Sequence, residues 1–186
     1  MLSIELPESG TDAAGDVPST PEELCRRCAP RVARFASLVA RDRSEAEDIA
    51  QEALIKAIRG LRTYRPEAGD FESWLWRIVI NTSNDFSRSR MRRLRLVLRL
   101  GTLPPRANPQ PEEIAINRLA AGDVRSALER LSARDRTVLA LRFGAGMGIR
   151  QVAECTAMST DAAEKAVQRA MQRLRAAFLE FRDGRA

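Results

Sequence analysis

Apolar residues recur along this chain at intervals of three and four, the spacing that lines one face of an α-helix, and no stretch alternates convincingly in the two-residue rhythm of a strand. From Pro21 to Ala40 the positions Leu24, Cys28, Val32, Phe35, Leu38 and Val39 form one stripe. Ser44 followed by Glu47 matches an S-x-x-E capping box and predicts the start of a second helix. Its apolar face runs Ile49, Ala53, Leu54, Ala57, Ile58 and Leu61. Pro66 and Gly69 in YRPEAGD oppose continuation, and a helical pattern resumes at FESWLWRIVINTSNDFSRSRMRR, residues 71–93, reaching about Leu100. Residues 101–111, GTLPPRANPQP, hold four of the nine prolines and predict an extended linker. Glu112 to Leu131 is amphipathic through Ile114, Leu119, Val124, Ala127, Leu128 and Leu131. Ser132 with Asp135 caps the next helix, RDRTVLALRF, which ends at the glycines of GAGMG. Two helices remain, Ile149–Cys155 and Ser159–Phe181, separated by the short turn Thr156–Met158. The expected fold is all-α: two small helical domains, 21–100 and 112–182, joined by a Pro-rich linker.

Composition adds direction to this outline. With 186 residues and 44% hydrophobic content the chain can bury one ordinary core or two small ones. Residues 1–20 carry four acids (Glu5, Glu8, Asp12, Asp16) and no base, and with their Gly, Pro, Ser and Thr content they read as a disordered acidic tail. Residues 21–100 carry 17 bases against 11 acids, and residues 118–186 carry 13 against 8. A surplus of this kind favours a polyanionic partner, and suits RNA, DNA or an acidic protein equally. No apolar run approaches the roughly 20 residues that span a bilayer, and the N-terminus lacks the basic-then-apolar order of a secretory signal, so a cytoplasmic protein without membrane insertion is expected.

The chain has no histidine, which removes the commonest general base and metal ligand. Cys25 and Cys28 have C-x-x-C spacing, but a closed zinc site needs four ligands and Cys155 is the one other cysteine. On a helix both share a face with Val32 and Phe35, so they read as small buried hydrophobes, with a redox role as the alternative. No metal, cofactor or catalytic residue is expected.

Three segments carry candidate binding chemistry. In 71–93, Trp74, Leu75, Ile78, Val79 and Phe86 are assigned inward, with Trp76, Arg77, Ile80, Asn81, Asn84 and Arg88 on other faces. Asn81, Thr82, Ser83 and Asn84 offer amides and hydroxyls suited to base edges. Arg88, Arg90, Arg92, Arg93, Arg95 and Arg99 follow, with no acid between Asp85 and Glu112, which suits a phosphate track as well as a basic helix end. In the second helix Asp48, Gln51, Glu52 and Ile55 lie opposite the core, as a solvated face or a docking one. The segment IRQVAECTAMSTDAAEKAVQRAMQRLRAAF has helix-turn-helix spacing, and that spacing fits an ordinary helical hairpin equally.

The run LERLSARDRTVLALRFGAGMGIRQVAECTAMSTDAAEKAVQRAMQRLR resembles domain 4 of the extracytoplasmic-function (ECF, group IV) sigma factors, small promoter-reading subunits of bacterial RNA polymerase. RSEAEDIAQEALIKA is similar to the family's DAEDLVQETFLRA, ELCRRCAPRVARFA to its ELYxRYxPxVYRFA, and FESWLWRIVIN to its FxxWLxRIxxN. The resemblance spans about residues 22–181. It implies that Asp48, Gln51 and Glu52 dock on the clamp coiled coil of core polymerase. It further implies that the loop Tyr64–Phe71 captures a base flipped out of the promoter −10 element, with Tyr64 stacking and Asn81 bonding the base edge. Arg65, Phe71, Trp76 and Thr82 join this −10 surface, and Arg77, Arg88, Arg92 and Arg93 hold phosphates. Trp74 is assigned to the core, while Trp76 is open between core and strand. The second domain would read the −35 element through Arg150, Gln151, Ser159, Thr160, Asp161, Lys165, Gln168, Arg169 and Arg173, and touch the polymerase flap. An anti-sigma factor is the further partner implied.

The sequence departs from the family at the recognition helix. Ala157 replaces the usual turn glycine, which predicts a slightly altered turn, and Glu164 and Ala166 replace a lysine and an arginine. The expected function is therefore promoter-directed initiation without catalytic activity of the chain's own. The rivals are a sigma-mimic that binds an anti-sigma factor, and a free-standing helix-turn-helix regulator.

Overall fold

The computed structural model describes residues 17–99 and 123–183, and every regular element among them is helical. The sequence expectations for the acidic tail, the linker 101–111 and the helix from Glu112 lie wholly or largely outside the described residues. Helix α1 spans Pro21–Val39, α2 Arg43–Leu61 and α3 Phe71–Arg99. A short helix, α4, covers 123–129 and is followed by α5, Ala133–Leu139, α6, Ile149–Thr156, and α7, Thr160–Asp183.

Helix starts are set by side chains that take the otherwise unpaired amides of a first turn. Thr20 accepts from the Glu23 N–H at 3.2 Å, Pro21 occupies the first turn, and the Glu23 carboxylate reaches back to the Ser19 amide at 2.9 Å. The bonds from Ser19 hold that carboxyl below its ordinary range. Helix α2 does not start on the expected Ser44–Glu47 box. Asp42 is its cap, accepting from the Glu45 N–H at 2.8 Å, while Glu45 takes the Arg41 N–H at 2.7 Å. Two D/S-x-x-E registers overlap in RDRSEAE, and a tertiary bond favours the first. Arg90 of α3 donates to both oxygens of Glu45, at 2.9 and 3.1 Å. Glu47 instead pairs with Arg43 at an exposed site.

In the first unit α2 runs antiparallel to α1 and α3. Leu24, Val32, Phe35, Ile49, Ala53, Ala57, Leu75, Trp76 and Val79 are buried in its core. Trp76 meets Phe35 edge to face with ring centroids 5.6 Å apart, and its indole N–H donates to Glu72 at 2.9 Å. Gly60 lets α2 approach Trp74, since a Cβ there would stand 2.9 Å from the indole ring. In the second unit Ser132 caps α5 through the Asp135 amide at 3.1 Å, and a π-helical turn, Ala140–Gly144, follows α5. Val152, Ala163, Val167 and Ala170 fill the angle between α6 and α7.

The two units also pack directly on each other, which the proline-rich linker did not foretell. Arg31 and Arg34 of α1 donate through Nε to the carbonyls of Ala145 and Gly144, at 2.9 and 3.0 Å. Gly144 permits this approach, for a Cβ there would lie 3.0 Å from the Arg34 carbonyl oxygen. Arg125 adds a bond to the Arg41 carbonyl at 3.1 Å. On the same boundary burial, and then the nearby Arg90, lower the Arg136 guanidinium from its ordinary value.

Candidate nucleic-acid interface

The break between α2 and α3 forms a small cleft whose floor is aromatic. The Tyr64 hydroxyl donates to the Gly69 carbonyl at 2.8 Å, folding the loop back on itself. Its ring meets Phe71 perpendicularly at 5.8 Å and Trp74 at 5.3 Å, and Phe71 and Trp74 are 5.5 Å apart. Thr63, Tyr64, Arg65, Gly69, Asp70, Trp74 and Arg77 line a space of about 180 Å³. Asp70 caps α3 by accepting the Ser73 N–H at 2.9 Å. Burial opposes its ionisation, but the bonds from Ser73 prevail and hold its carboxyl below the ordinary value. The cleft thus keeps one fixed carboxylate beside two exposed arginines, with a half-buried tyrosine ring as a wall.

Asn81 lies one helical turn beyond Arg77, exposed, and its amide has no hydrogen-bond partner among the described residues. It does not line the cleft with Tyr64; the helix carries it on along the same side.

Three expected strand contacts are corrected. Trp76 is 0% exposed, Thr82 1% and Phe71 7%, so none presents a side chain to a ligand. Trp76 fills the core beneath Arg31, whose guanidinium stands 5.4 Å from its ring, and Thr82 accepts from Lys56 at 3.4 Å. Trp74, assigned inward, is half-buried and forms the cleft floor. The face of α3 turned to the core runs Leu75, Val79, Thr82 and Phe86, widened by Trp76 and Ser83 because α1 packs there as well as α2. Glu72, missed in the sequence, is the hub of that contact. It binds Arg31 at 2.8 Å as well as the Trp76 indole, and its one sequence signal is the i, i+4 spacing to Trp76.

Beyond Asn81 the outer side of α3 is basic. Arg92, Arg93, Arg95 and Arg99 are exposed without an ion-pair partner among the described residues, whereas Arg88 pairs with Asp85 at 2.9 Å. Arg90 is spent on Glu45. A wider groove of about 560 Å³ opens here, lined by Asn84, Ser87, Arg88, Met91, Arg92, Arg95 and Ala133. On α2, Asp48 and Gln51 are exposed and Glu52 is half-exposed with Lys56 3.6 Å away, so the three expected docking residues share an accessible side.

In the second unit Arg150, Thr160, Asp161, Lys165, Gln168 and Arg169 are exposed. Gln151 caps α6 by accepting the Gly148 N–H at 3.0 Å, and Ser159 caps α7 through the Ala162 N–H at 3.2 Å. Arg173 donates to both oxygens of the buried Asp135, at 3.0 and 2.8 Å, and so serves the packing of α5 on α7. Ala157 keeps the left-handed turn despite its Cβ, at φ 53°, so the turn retains its shape and is strained instead. Ala166, at the family's arginine position, is buried.

The cysteines are free thiols. Cys28 lies in the core, where burial and then Glu72 push its thiol up to about 11. Burial and then Asp70 push Cys155 up to about 12. Neither is a thiolate nucleophile near neutral pH.

Comparison with known proteins agrees with this layout. Sigma-70 region 2 matches residues 24–93, and Sigma-70 region 4 matches residues 121–174. The ECF RNA polymerase sigma factor SigE of Mycolicibacterium smegmatis is 31% identical over 172 residues, 88% of this chain and 64% of the relative's length. SigD of Mycobacterium tuberculosis, also an ECF RNA polymerase sigma factor, is 32% identical over 154 residues, 82% of this chain and 70% of the relative. The fold matches the sigma factor RpoE solved with the anti-sigma factor NepR from Bartonella quintana, at a TM-score of 0.62 and 23% identity, covering 84% of this chain and 94% of that one. CnrH solved with the cytosolic domain of CnrY gives a TM-score of 0.61 at 23% identity, covering 84% and 85%. The class is that of two-region helical sigma-70 proteins. Within it, this chain belongs to the ECF sigma factors.

Proposed function

We propose that the protein binds bacterial core RNA polymerase, directs it to specific promoters and helps to melt the −10 element, as a group IV sigma factor with no catalytic activity of its own. The observation that carries this reading is the aromatic-floored cleft between α2 and α3, with Arg65 and Arg77 at its edge and the unpartnered Asn81 on the next turn. An extruded base stacked in the cleft offsets part of the cost of unpairing it, so binding drives melting. The free arginines of α3 hold the strand's phosphates, and Asp48, Gln51 and Glu52 meet the clamp coiled coil. Residues 21–100 form the unit for polymerase and −10 binding, and 112–182 form the unit that reads the −35 element and meets the flap. Such work belongs in the cytoplasm, and no described helix is long and apolar enough to cross a membrane.

The direct packing of the two units bears on partners. Elements named for positions about 25 base pairs apart lie about 85 Å apart at about 3.4 Å per pair, so units in contact cannot read both. The contacts of Arg31 and Arg34 must therefore open on a promoter, and a closed pair of units offers an anti-sigma factor one continuous surface. Of the solved structures with this fold, one is the sigma factor RpoE in complex with the anti-sigma factor NepR, and another is CnrH in complex with the cytosolic domain of CnrY.

Run-off transcription with core polymerase and a broad promoter library tests the reading. A promoter-specific transcript that requires this protein is expected. Absence of any such transcript, with retained binding to an anti-sigma factor, would favour the sigma-mimic; specific DNA binding without polymerase would favour a free-standing regulator.

A further inference from the structure

Asn81, Asp85, Arg88 and Arg92 follow one another along α3 at steps of four, three and four residues, so they share one side of the helix, and all four are exposed. Asp85 is the one acid in that row and the last acid before Glu112. It engages Arg88 at 2.9 Å, whereas Arg92 has no ion-pair partner among the described residues. A carboxylate in this row repels a phosphate and also occupies the arginine that is expected to bind it.

A second cation approaches the same carboxylate from the neighbouring helix. Lys56 of α2 stands 4.0 Å from Asp85 and 3.6 Å from Glu52, and its ammonium donates to the Thr82 hydroxyl at 3.4 Å. Glu52, Lys56, Asp85 and Arg88 therefore form a line of alternating charge across the boundary between α2 and α3. One end of the line lies among the expected polymerase contacts, and the other among the expected strand contacts. Thr82 is 1% exposed, so its hydroxyl is a fixed anchor that keeps the Lys56 ammonium between the two carboxylates. The four charged side chains are between 40% and 66% exposed, which leaves each of them free to exchange partners without disturbing the core.

We propose that Lys56 is a positioning residue that couples polymerase docking to the grip on the promoter strand. The inference rests on the reading of Glu52 as a clamp contact and of Arg88 as a phosphate contact. A basic side chain of the clamp that takes Glu52 also repels Lys56, which then closes on Asp85. Asp85 is neutralised from α2, and Arg88 is released to a phosphate. The row is thus occupied by its own acid in the free protein and opens to a strand on docking. Linkage makes the effect reciprocal: a phosphate that draws Arg88 away leaves Asp85 to Lys56, and Glu52 to the clamp. Exposed ion pairs change an equilibrium by up to about fivefold, which sets the size of the coupling.

Two measurements on the full chain test this, with Glu52→Gln reproducing the loss of Glu52 to the clamp. The first is the NMR signal of the Arg88 Nε–H group, read without DNA or polymerase. Glu52→Gln should shift that signal, and should leave it in place when Lys56→Gln is also present. No shift, or the same shift in both backgrounds, overturns the exchange of partners. The second is binding of a fluorescein-labelled single strand at about 50 mM salt, with Asp48→Asn as the measure of simply losing a negative charge on the same side of α2. Glu52→Gln should tighten binding about threefold more than Asp48→Asn does, and that margin should vanish in the Lys56→Gln background. Equal gains from Glu52→Gln and Asp48→Asn overturn the coupling. Failure of the underlying readings looks different. If the Arg88 signal responds as expected while Arg88→Ala in an Asp85→Asn background leaves strand binding unchanged, the phosphate role of Arg88 fails and the exchange of partners stands. If it responds while Glu52→Gln leaves core-polymerase affinity unchanged, the clamp role of Glu52 fails instead.

Discussion

Helices α3 and α7 both present rows of basic residues, and they differ in how much of that charge is free. On α3, Arg77, Arg92, Arg93, Arg95 and Arg99 are exposed without carboxylate partners among the described residues, and the acids that precede them are already spent. On α7, Lys165, Arg169 and Arg175 are also exposed without ion-pair partners among the described residues, but Lys165 and Arg169 share their exposed side with Asp161 and Glu164, and Arg173 is bound by Asp135. Similar rows of basic residues therefore have different consequences. An arginine whose one nitrogen donates to both oxygens of a buried carboxylate contributes to packing; one facing water alone is available to a phosphate. The electrostatic grip of this protein should lie in the first unit, with the second contributing orientation and base contacts.

The largest effect expected from breaking this contrast is structural. Trp76→Ala should destabilise the first unit by about 3–5 kcal/mol, because it empties a filled core position and strands Glu72 and Arg31. Urea unfolding reads that loss, and a tryptophan that served the strand instead would leave stability nearly unchanged. Next, Arg77→Ala with Arg92→Ala should flatten the dependence of log K on log salt for single-stranded DNA, by about 0.7 for each phosphate that is no longer neutralised. Lys165→Ala with Arg169→Ala should alter that slope less, and an equal change would erase the distinction between the helices. Smallest is the turn before α7. Ala157→Gly relieves a left-handed alanine and should stabilise the second unit by about 1 kcal/mol, a gain visible as a raised urea midpoint.

Helical periodicity made the fold readable where apolar side chains fill the buried row, as in α1, where Leu24, Cys28, Val32 and Phe35 are all buried. It misread α3 because α2, α6 and α1 all pack on that helix and part of its buried arc is polar or amphipathic. Thr82 is a polar residue within the core-facing row, bonded to Lys56 of α2, and Trp76 lies beside that row against Phe35 of α1. The start of α2 was ambiguous in principle, since Asp42–Glu45 and Ser44–Glu47 both satisfy the capping pattern. Arg90, 45 residues away from Glu45, decides between them, and no local rule contains it. The contact between the units was illegible for a similar reason. Arg31 and Arg34 donate to backbone carbonyls, which carry no residue signature, and Gly144 shows its purpose only once α1 lies against it. Of the candidate site, Tyr64, Arg65, Arg77 and Asn81 were legible because exposed polar residues beside a helix break owe nothing to the core. Their partners Trp74 and Asp70 were not, since one looked like core and the other like an ordinary cap.

The central claim is that the α2–α3 cleft and Asn81 act on an unpaired base and not on the polymerase. Asn81→Ala, compared with the parent protein, separates these in one preparation: affinity for core polymerase by titration, and open-complex formation by permanganate reactivity of promoter thymines. The account predicts core affinity within about twofold and open-complex formation reduced about tenfold or more, the scale of removing one bidentate pairing with a base. Equal losses in both measurements, or an unchanged open complex, would contradict it.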